Sequence, residues 1–308
     1  MKSLDKAMEV LLLGTSCMFP TKDRNQPCLL LIRDGNYLLF DAGEGVQRQL
    51  RLARVSPMKI NNIFITHWHG DHSLGLAGMI QSMSGNKRSA ELHVYGPKGT
   101  ADKVDHLLSA FDFNKTFKVI THEFDLRIGE SRDVLKTNNY MITAMRVKHG
   151  VNCLNYSLKE EGVRKVNLSY VKKFGLSKSP LLGRLQKGFD INYNDKLIKA
   201  GEATYLKPGK KFTYVVDTSL FDELIKFAEG SDLLVCESTY ASDKEDKAEG
   251  YNHLIARQAG ELASRAGVKK LVLTHFSQRY KTAEPMLKEA KKAFKKTFAG
   301  RDFMRIKF

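Results

Sequence analysis

The amino-acid sequence predicts a layered α/β fold. Three observations carry this: short apolar runs alternate with stretches of helical composition, several runs end on Asp or His, and 308 residues suffice to bury a sizeable core in one large domain or two small ones. In chain order, Met8–Leu13 and Cys28–Ile32 read as apolar strands. The strand Tyr37–Phe40 follows the turn Arg33-Asp34-Gly35-Asn36 and ends at Asp41. Glu44–Ala53 has helical composition. The strand Ile60–Ile65 runs straight into Thr66-His67-Trp68-His69-Gly70-Asp71-His72, with a helix expected over Ser73–Met83. A strand at Leu92–Tyr95, a helix over Gly99–Phe111 and an apolar alternation over Met141–Val147 follow. The rhythm weakens from about Tyr156 to Leu206, where lysines cluster, and this segment reads as an inserted arm rather than core. It then resumes: strand Phe212–Val216 closing at Asp217, helix Leu220–Gly230, strand Leu233–Cys236, helix Asn252–Ala266, strand Lys270–Leu273 leading to His275, and helix Ala283–Phe298.

A composition of 42% hydrophobic and 27% charged residues excludes wholesale disorder and collagen-like repeats. No apolar stretch approaches the roughly 18–20 residues needed to span a bilayer, so no membrane partner is expected. Between Met1 and Leu13 the apolar run is too short for a signal peptide. Cys17, Cys28, Cys153 and Cys236 are scattered, which suggests neither a disulfide framework nor a thiolate zinc site; they read as reduced thiols of a cytoplasmic protein. The net charge of +16 is unevenly placed. Thirteen basic and five acidic residues lie between Ser157 and Lys211, and nine basic and three acidic between Lys281 and Phe308. Either this is a solvated lysine-rich surface, or two electropositive patches suited to a phosphate backbone sit on a nearly neutral body.

The strongest chemical signal is His67-x-His69-x-Asp71-His72, three imidazoles and a carboxylate directly after an apolar strand. Imidazole nitrogen and carboxylate oxygen suit a borderline divalent ion such as zinc. Leaving a strand into a tight turn at Gly70 lets successive side chains converge. Two ions need more ligands, and His149, Asp217 and His275 stand at the ends of other apolar runs. A carboxylate between two histidine clusters is a natural bridge, which points to Asp217. A pair of ions lowers the pKa of a shared water and holds the negative oxygens of a phosphate. A metal-binding but noncatalytic site is the alternative. His93, His106 and His122 read as ordinary core or surface residues.

The His67–His72 cluster resembles the metallo-β-lactamase superfamily signature. The flanking motifs are similar to those of one of its families, tRNase Z: Leu13-Gly14-Thr15 with Pro20-Thr21-Lys22-x-Arg24-Asn25; Asp41-x-Gly43-Glu44-Gly45-x-Gln47-Arg48-Gln49-Leu50; Gly75-Leu76-x-Gly78 with Ser82-Met83-Ser84-Gly85; Tyr95-Gly96-Pro97-Lys98-Gly99; Val216-Asp217-Thr218; Cys236-Glu237-Ser238-Thr239; and Leu273 to Tyr280. The matches run from about Leu11 to Tyr280. The resemblance implies an αβ/βα four-layer sandwich over residues 1–308, with an inserted, protruding basic arm over about 157–206. It implies a zinc-dependent endoribonuclease that removes the 3′ trailer of precursor tRNA. An activated hydroxide would attack the phosphodiester after the discriminator nucleotide and leave a 3′-hydroxyl on the tRNA.

The resemblance also implies roles for single residues. Two Zn2+ per subunit, replaceable by Mn2+ or Mg2+, would be held by His67, His69 and His149 at one position and by Asp71, His72 and His275 at the other, with Asp217 bridging. Asp71 would also orient or deprotonate the attacking water. His253 would be the general acid, with Glu237 beside it favouring the imidazolium form. Lys22, Arg24 and a loop Ser82–Gly85, through Ser82 and Ser84, would line the approach of the 3′ strand, and Lys172, Lys173, Lys178, Arg184 and Lys187 would grip phosphates from the arm. A homodimer is implied, one subunit's arm holding the tRNA cut by the other. The alternatives are a general metallo-phosphodiesterase or exoribonuclease on the same site, or a noncatalytic RNA-binding module.

Overall fold

A computed structural model describes residues 8–308; the segment 1–7, part of the stretch judged too short for a signal peptide, lies outside the described residues. The chain divides into two compact units, one of residues 1–135, 142–158 and 211–308, the other of residues 136–141 and 159–210.

The first unit is built on two seven-stranded sheets. Across the first, the strands run Arg305–Lys307, Glu9–Gly14, Cys28–Arg33, Asn36–Phe40, Ile60–Phe64, Leu92–Pro97 and Val119–Phe124. The early strands pair antiparallel, and those from Asn36–Phe40 onward pair parallel. Asp34 and Gly35, with φ of 48° and 81°, make the tight turn that lets Cys28–Arg33 fold back on Asn36–Phe40. Across the second sheet the order is Thr297–Ala299, Leu271–Thr274, Leu233–Glu237, Lys211–Val215, Leu154–Glu160, Tyr140–Arg146 and Ser131–Lys136, the first four parallel.

Strands such as Leu29-Leu30-Leu31 and Leu233-Leu234-Val235 are continuous apolar runs because both faces of each sheet are covered. Between the sheets lies an aromatic layer: Phe40 and Phe64 from the first sheet meet Tyr156, Phe212 and Tyr214 from the second at centroid separations of 5.4 to 6.0 Å. On the outer face of the first sheet, helices Val46–Leu52, Gly75–Gly85 and Thr100–Ser109 bury Val46, Leu50, Leu76, Met79, Ile80 and Val104. On the outer face of the second, Asp222–Ala228, Ala256–Arg265 and Glu284–Ala293 bury Leu224, Ala259, Leu262, Ala263, Met286 and Ala290. The result is the expected helix–sheet–sheet–helix stack. Among the described residues no helix is long and apolar enough to cross a membrane.

The structure corrects several expected elements. The helix expected over Asn252–Ala266 begins only at Ala256 and runs to Arg265; an additional helix, Glu245–Tyr251, precedes it and ends where Asn252 adopts φ 55°. The helix expected over Ala283–Phe298 stops at Ala293, and Thr297–Ala299 is a strand. Ser82-Met83-Ser84-Gly85 is the last stretch of helix Gly75–Gly85 rather than a loop. Tyr156, placed at the start of the insert, is a fully buried member of the strand Leu154–Glu160.

The second unit has a small core of its own, contrary to the reading of this segment as lacking one. Val163–Val166 pairs antiparallel with Thr204–Lys207, and Ile191–Tyr193 with Lys196–Ile198. Short helices Leu168–Lys172, Leu181–Gln186 and Ala200–Ala203 complete it, burying Val171, Leu176, Leu185, Ile191 and Ile198.

Candidate metal centre

The sites gather where strands of the first unit end. His67 and His69 follow the strand Ile60–Phe64, and Asp71 and His72 lie in the helical turn Gly70–Ser73. This turn packs tightly on the loop after Phe40: a Cβ on Gly43 would lie 2.5 Å from the Asp71 carbonyl, and one on Gly75 would lie 2.2 Å from the Gly43 carbonyl. His149 follows the strand Tyr140–Arg146, Asp217 the strand Lys211–Val215, and His275 the strand Leu271–Thr274. Glu237 ends its own strand, and His253 sits between two helices.

These nine side chains converge. Ligand atoms of His67, His69, His149 and Asp217 lie within 4.8 Å of one another, as do those of Asp71, His72 and His275, and those of Asp217, Glu237, His253 and His275. Asp217 is the fork. Its Oδ2 stands 3.4 Å from His67 Nε2, 3.5 Å from His72 Nε2 and 3.8 Å from His149 Nε2, while Oδ1 stands 3.3 Å from His275 Nε2. Asp71 Oδ2 lies 3.6 Å from His72 Nε2 and 3.8 Å from His275 Nε2.

Hydrogen bonds behind these groups aim them inward. Asp41 Oδ1 accepts the Thr66 amide at 2.8 Å, and Oδ2 lies 2.8 Å from His72 Nδ1, so Nε2 of His72 faces the centre. Thr239 Oγ1 donates to Glu237 Oε2 at 2.6 Å and lies 3.0 Å from His275 Nδ1. Glu237 Oε2 also lies 3.0 Å from His253 Nδ1, and Oε1 accepts the Thr218 amide at 2.7 Å. The Met18 amide donates to Asp71 Oδ2 at 2.8 Å.

The donor set fits a pair of divalent cations. His67 Nε2 lies only 2.9 Å from His69 Nδ1, and His72 Nε2 only 3.3 Å from His275 Nε2, close approaches of basic nitrogens that a shared cation reconciles. Asp217 Oδ1 is buried and accepts no hydrogen bond among the described residues. Taking the side chains alone, burial opposes charge on Asp217, yet His275, His72 and His253 hold its carboxyl well below the usual range. Burial likewise opposes charge on His72, but Asp71, Asp41 and Asp217 push it up to about 9. His67 lacks such an excess of anions; burial and then His72 lower it well below the ordinary imidazole value. At His253, burial is outweighed by Glu237 and Asp217, so its pKa is raised.

Residues 8–168 match the family described as Anti-Pycsar protein Apyc1, and residues 201–276 match the Beta-lactamase superfamily domain. The chain is 39% identical over 300 residues to the ribonuclease Z of Methanothermobacter thermautotrophicus, covering 97% of this chain and 96% of that one. It is 40% identical over 301 residues to the ribonuclease Z of Pyrococcus horikoshii, covering 97% and 95%. This chain belongs to the ribonuclease Z family. Human tRNase Z, short form, shares the metallo-β-lactamase fold with a TM-score of 0.71 at 24% identity, covering 97% of this chain and 98% of that one. The Apyc1 match ends before Asp217, His253 and His275, whereas the ribonuclease Z relatives extend over nearly the whole chain.

Other positions in the ribonuclease Z motifs are placed differently from one another. Lys22 is exposed. Arg24 is half-buried and bonded inward. Ser82 is half-buried, and Ser84 is buried on a helix, at odds with lining an approach. Lys172, Lys173, Lys178, Arg184 and Lys187 are exposed on the second unit. Sequence reasoning passed over Asp41, Thr66 and Thr239, which hold ligands without being ligands. Asp41 carried a usable signal, a carboxylate closing an apolar strand as Asp217 does.

Proposed function

We propose that this ribonuclease Z family member removes the 3′ trailer from precursor tRNA by hydrolysing the phosphodiester after the discriminator nucleotide. The observation that carries the reading is the fork at Asp217, with the His253–Glu237 pair opening onto the same centre. His67, His69 and His149 would hold one Zn2+ and Asp71, His72 and His275 a second, with the Asp217 carboxylate available to both; Mn2+ or Mg2+ would substitute. When bound, the ions supply Lewis acidity toward the phosphate oxygens and lower the pKa of a water between them.

The chain's own groups do the rest. Asp71, held by the Met18 amide, orients the attacking water and accepts its proton. Glu237 keeps the His253 imidazole oriented and charged, so that its Nε2 protonates the departing 3′ oxygen as the P–O3′ bond breaks. The products are a tRNA with a 3′-hydroxyl and a trailer with a 5′-phosphate.

Lys22 contacts the 3′ strand near the centre. The segment 157–206 is the substrate arm, on which Lys172, Lys173, Lys178, Arg184 and Lys187 grip phosphates of the tRNA. Phosphate contacts position a substrate without reading its sequence, which suits an enzyme accepting many tRNAs of one shape. The working form is a homodimer in which one subunit's arm holds the tRNA cut by the other. The deciding experiment incubates purified protein with end-labelled precursor tRNA and maps the cut. A single cut after the discriminator supports the proposal. Progressive shortening from the 3′ end, or hydrolysis of small diesters alone, refutes it.

A further inference from the structure

Arg24 lies in the segment read as touching RNA, yet its guanidinium is engaged within the fold. Nη1 donates to Thr15 Oγ1 at 2.7 Å and to the Gly300 carbonyl at 2.9 Å, and the guanidinium carbon lies 4.5 Å from the centroid of the Phe276 ring. Asp302 completes the assembly. Its Oδ1 accepts the Thr15 hydroxyl at 2.7 Å; its Oδ2 accepts the Asn25 amide at 2.7 Å and Gln49 Nε2 at 3.0 Å. The Thr15 hydroxyl therefore accepts a hydrogen bond from Arg24 and donates one to Asp302, tying a cation and an anion through one oxygen. Four segments remote in sequence meet here: residues 15–25, helix Val46–Leu52 through Gln49, Phe276, and the stretch after strand Thr297–Ala299.

What this assembly clamps is the loop between Ser16 and Asn25. The Ser16 amide closes its neck on the Asn25 carbonyl at 2.9 Å. Gln26 Nε2 holds the Met18 carbonyl at 2.8 Å, and the Met18 amide reaches Asp71 Oδ2 at 2.8 Å. On the other side the Phe276 amide donates to the Thr15 carbonyl at 2.9 Å, immediately after His275. The clamp thus reaches Asp71 itself and the backbone immediately after His275, two members of one ligand group.

We infer that Arg24 and Asp302 are positioning residues, which fix the Met18 amide against Asp71 and the backbone beside His275, and that Arg24 is not a phosphate contact. The inference rests on the proposed function and deepens it by taking Arg24 out of the RNA-contacting residues that the motif resemblance implies and giving it to the metal centre. A guanidinium stacked on Phe276 and tied through one hydroxyl to a carboxylate has little free charge to exchange for counterions on RNA.

The test compares Arg24→Ala, Thr15→Val and Thr15→Ser with the parent protein in three measurements. The first is hydrolysis of bis(p-nitrophenyl) phosphate, the second is zinc affinity by competition with a chromophoric chelator, and the third is the salt dependence of precursor-tRNA binding without metal. Arg24→Ala and Thr15→Val should lower kcat on the small diester by about tenfold or more, since a misplacement near 1 Å can cost roughly 100-fold. They should also weaken zinc binding and leave the salt slope unchanged. Thr15→Ser, which keeps the hydroxyl, should behave as the parent. The inference is overturned if Arg24→Ala spares small-diester hydrolysis and lowers the salt slope by roughly 0.7–0.9, the signature of one lost phosphate contact. It is also overturned if Thr15→Ser is as damaging as Thr15→Val. Should Arg24→Ala fail to fold, the Thr15 pair decides. A parent protein that hydrolyses the small diester but leaves precursor tRNA uncut sinks the proposed function, while the diester and zinc measurements still judge the clamp.

Discussion

Replacing Asp41 by Asn tests whether the metal centre depends on a residue that never touches it. Asp41 is fully buried; Oδ1 accepts the Thr66 amide at 2.8 Å and the Thr66 hydroxyl at 2.9 Å, and Oδ2 lies 2.8 Å from His72 Nδ1. A carboxylate there can only accept, so His72 must present Nδ1–H to it and keep Nε2 bare toward Asp217 and Asp71. The Asn side chain has one donor end and one acceptor end. Aimed at Thr66, its NH2 group faces two donors; aimed at His72, it demands an acceptor at Nδ1 and moves the proton to Nε2, where it blocks coordination. Such outer partners are worth roughly 10–100-fold in metal affinity, or about 1.4–2.7 kcal/mol. The volume of the side chain barely changes, so packing is preserved. Chelator competition should show one of two zinc equivalents weakened by that factor, with cleavage falling in step at limiting zinc and recovering partly at excess. Two equivalents bound at parental affinity would refute the argument that Asp41 sets the His72 tautomer.

Asp217→Ala should abolish cleavage and reduce bound metal, measured by elemental analysis, because it removes the carboxylate that four imidazoles approach; full activity would refute the bridge. His253→Ala should slow turnover by roughly 100- to 10,000-fold while metal content stays parental, and metal loss would make it a ligand instead of an acid. The raised pKa of His253 means its proton is present at lower pH and lost as pH climbs through the folded value. Glu237→Gln removes the carboxylate that raises it, so the alkaline limb of the rate profile should move to lower pH; an unmoved limb assigns the acid elsewhere. Deleting Leu168–Tyr193 should weaken precursor-tRNA binding strongly and spare small-diester hydrolysis, and equal loss of both would make the segment structural.

Much of the centre was legible because its ligands terminate apolar runs. His67 to His72 follow such a run in the first sheet and Asp217 and His275 follow runs in the second, so the site forms where strand ends of the two stacked sheets meet. Legibility failed where no local rhythm exists. The second unit builds its core from strands of three or four residues and helices of four to six, too short for a period to register. Residues 294–299 have a composition as suitable for helix as for strand, and only pairing with Leu271–Leu273 settles Thr297–Ala299. The C-terminal strand Arg305–Lys307 has one buried apolar residue, Ile306, and owes its conformation to Glu9–Leu11 across the chain. Motif likeness likewise named Arg24 and Ser84 without telling which way either faces. Facing is decided by partners such as Gly300 and Asp302, almost 280 residues distant from Arg24.

The backbone at the centre carries a cost that links stability to the site. Asp41, Asp217 and His275 adopt φ of 58°, 50° and 59°, a left-handed conformation that costs an L-residue other than glycine about 1–2 kcal/mol. All three lie just past apolar strands, where the chain must turn sharply and still aim a side chain at the centre. Glycine would relieve the backbone but remove the functional group. This gives Asp217 a sharp comparison. Asp217→Gly and Asp217→Ala both abolish the fork and leave the same imidazoles unbalanced, but alanine keeps the left-handed penalty and glycine does not. With chelator present, the Gly variant should therefore be the more stable of the two by about 1 kcal/mol in denaturant unfolding, the reverse of the usual order at a right-handed position. An Ala variant equal to or more stable than the Gly variant would mean that the turn relaxes once the carboxylate is gone, and that the strain belongs to Asp217 itself rather than to the path the strands impose.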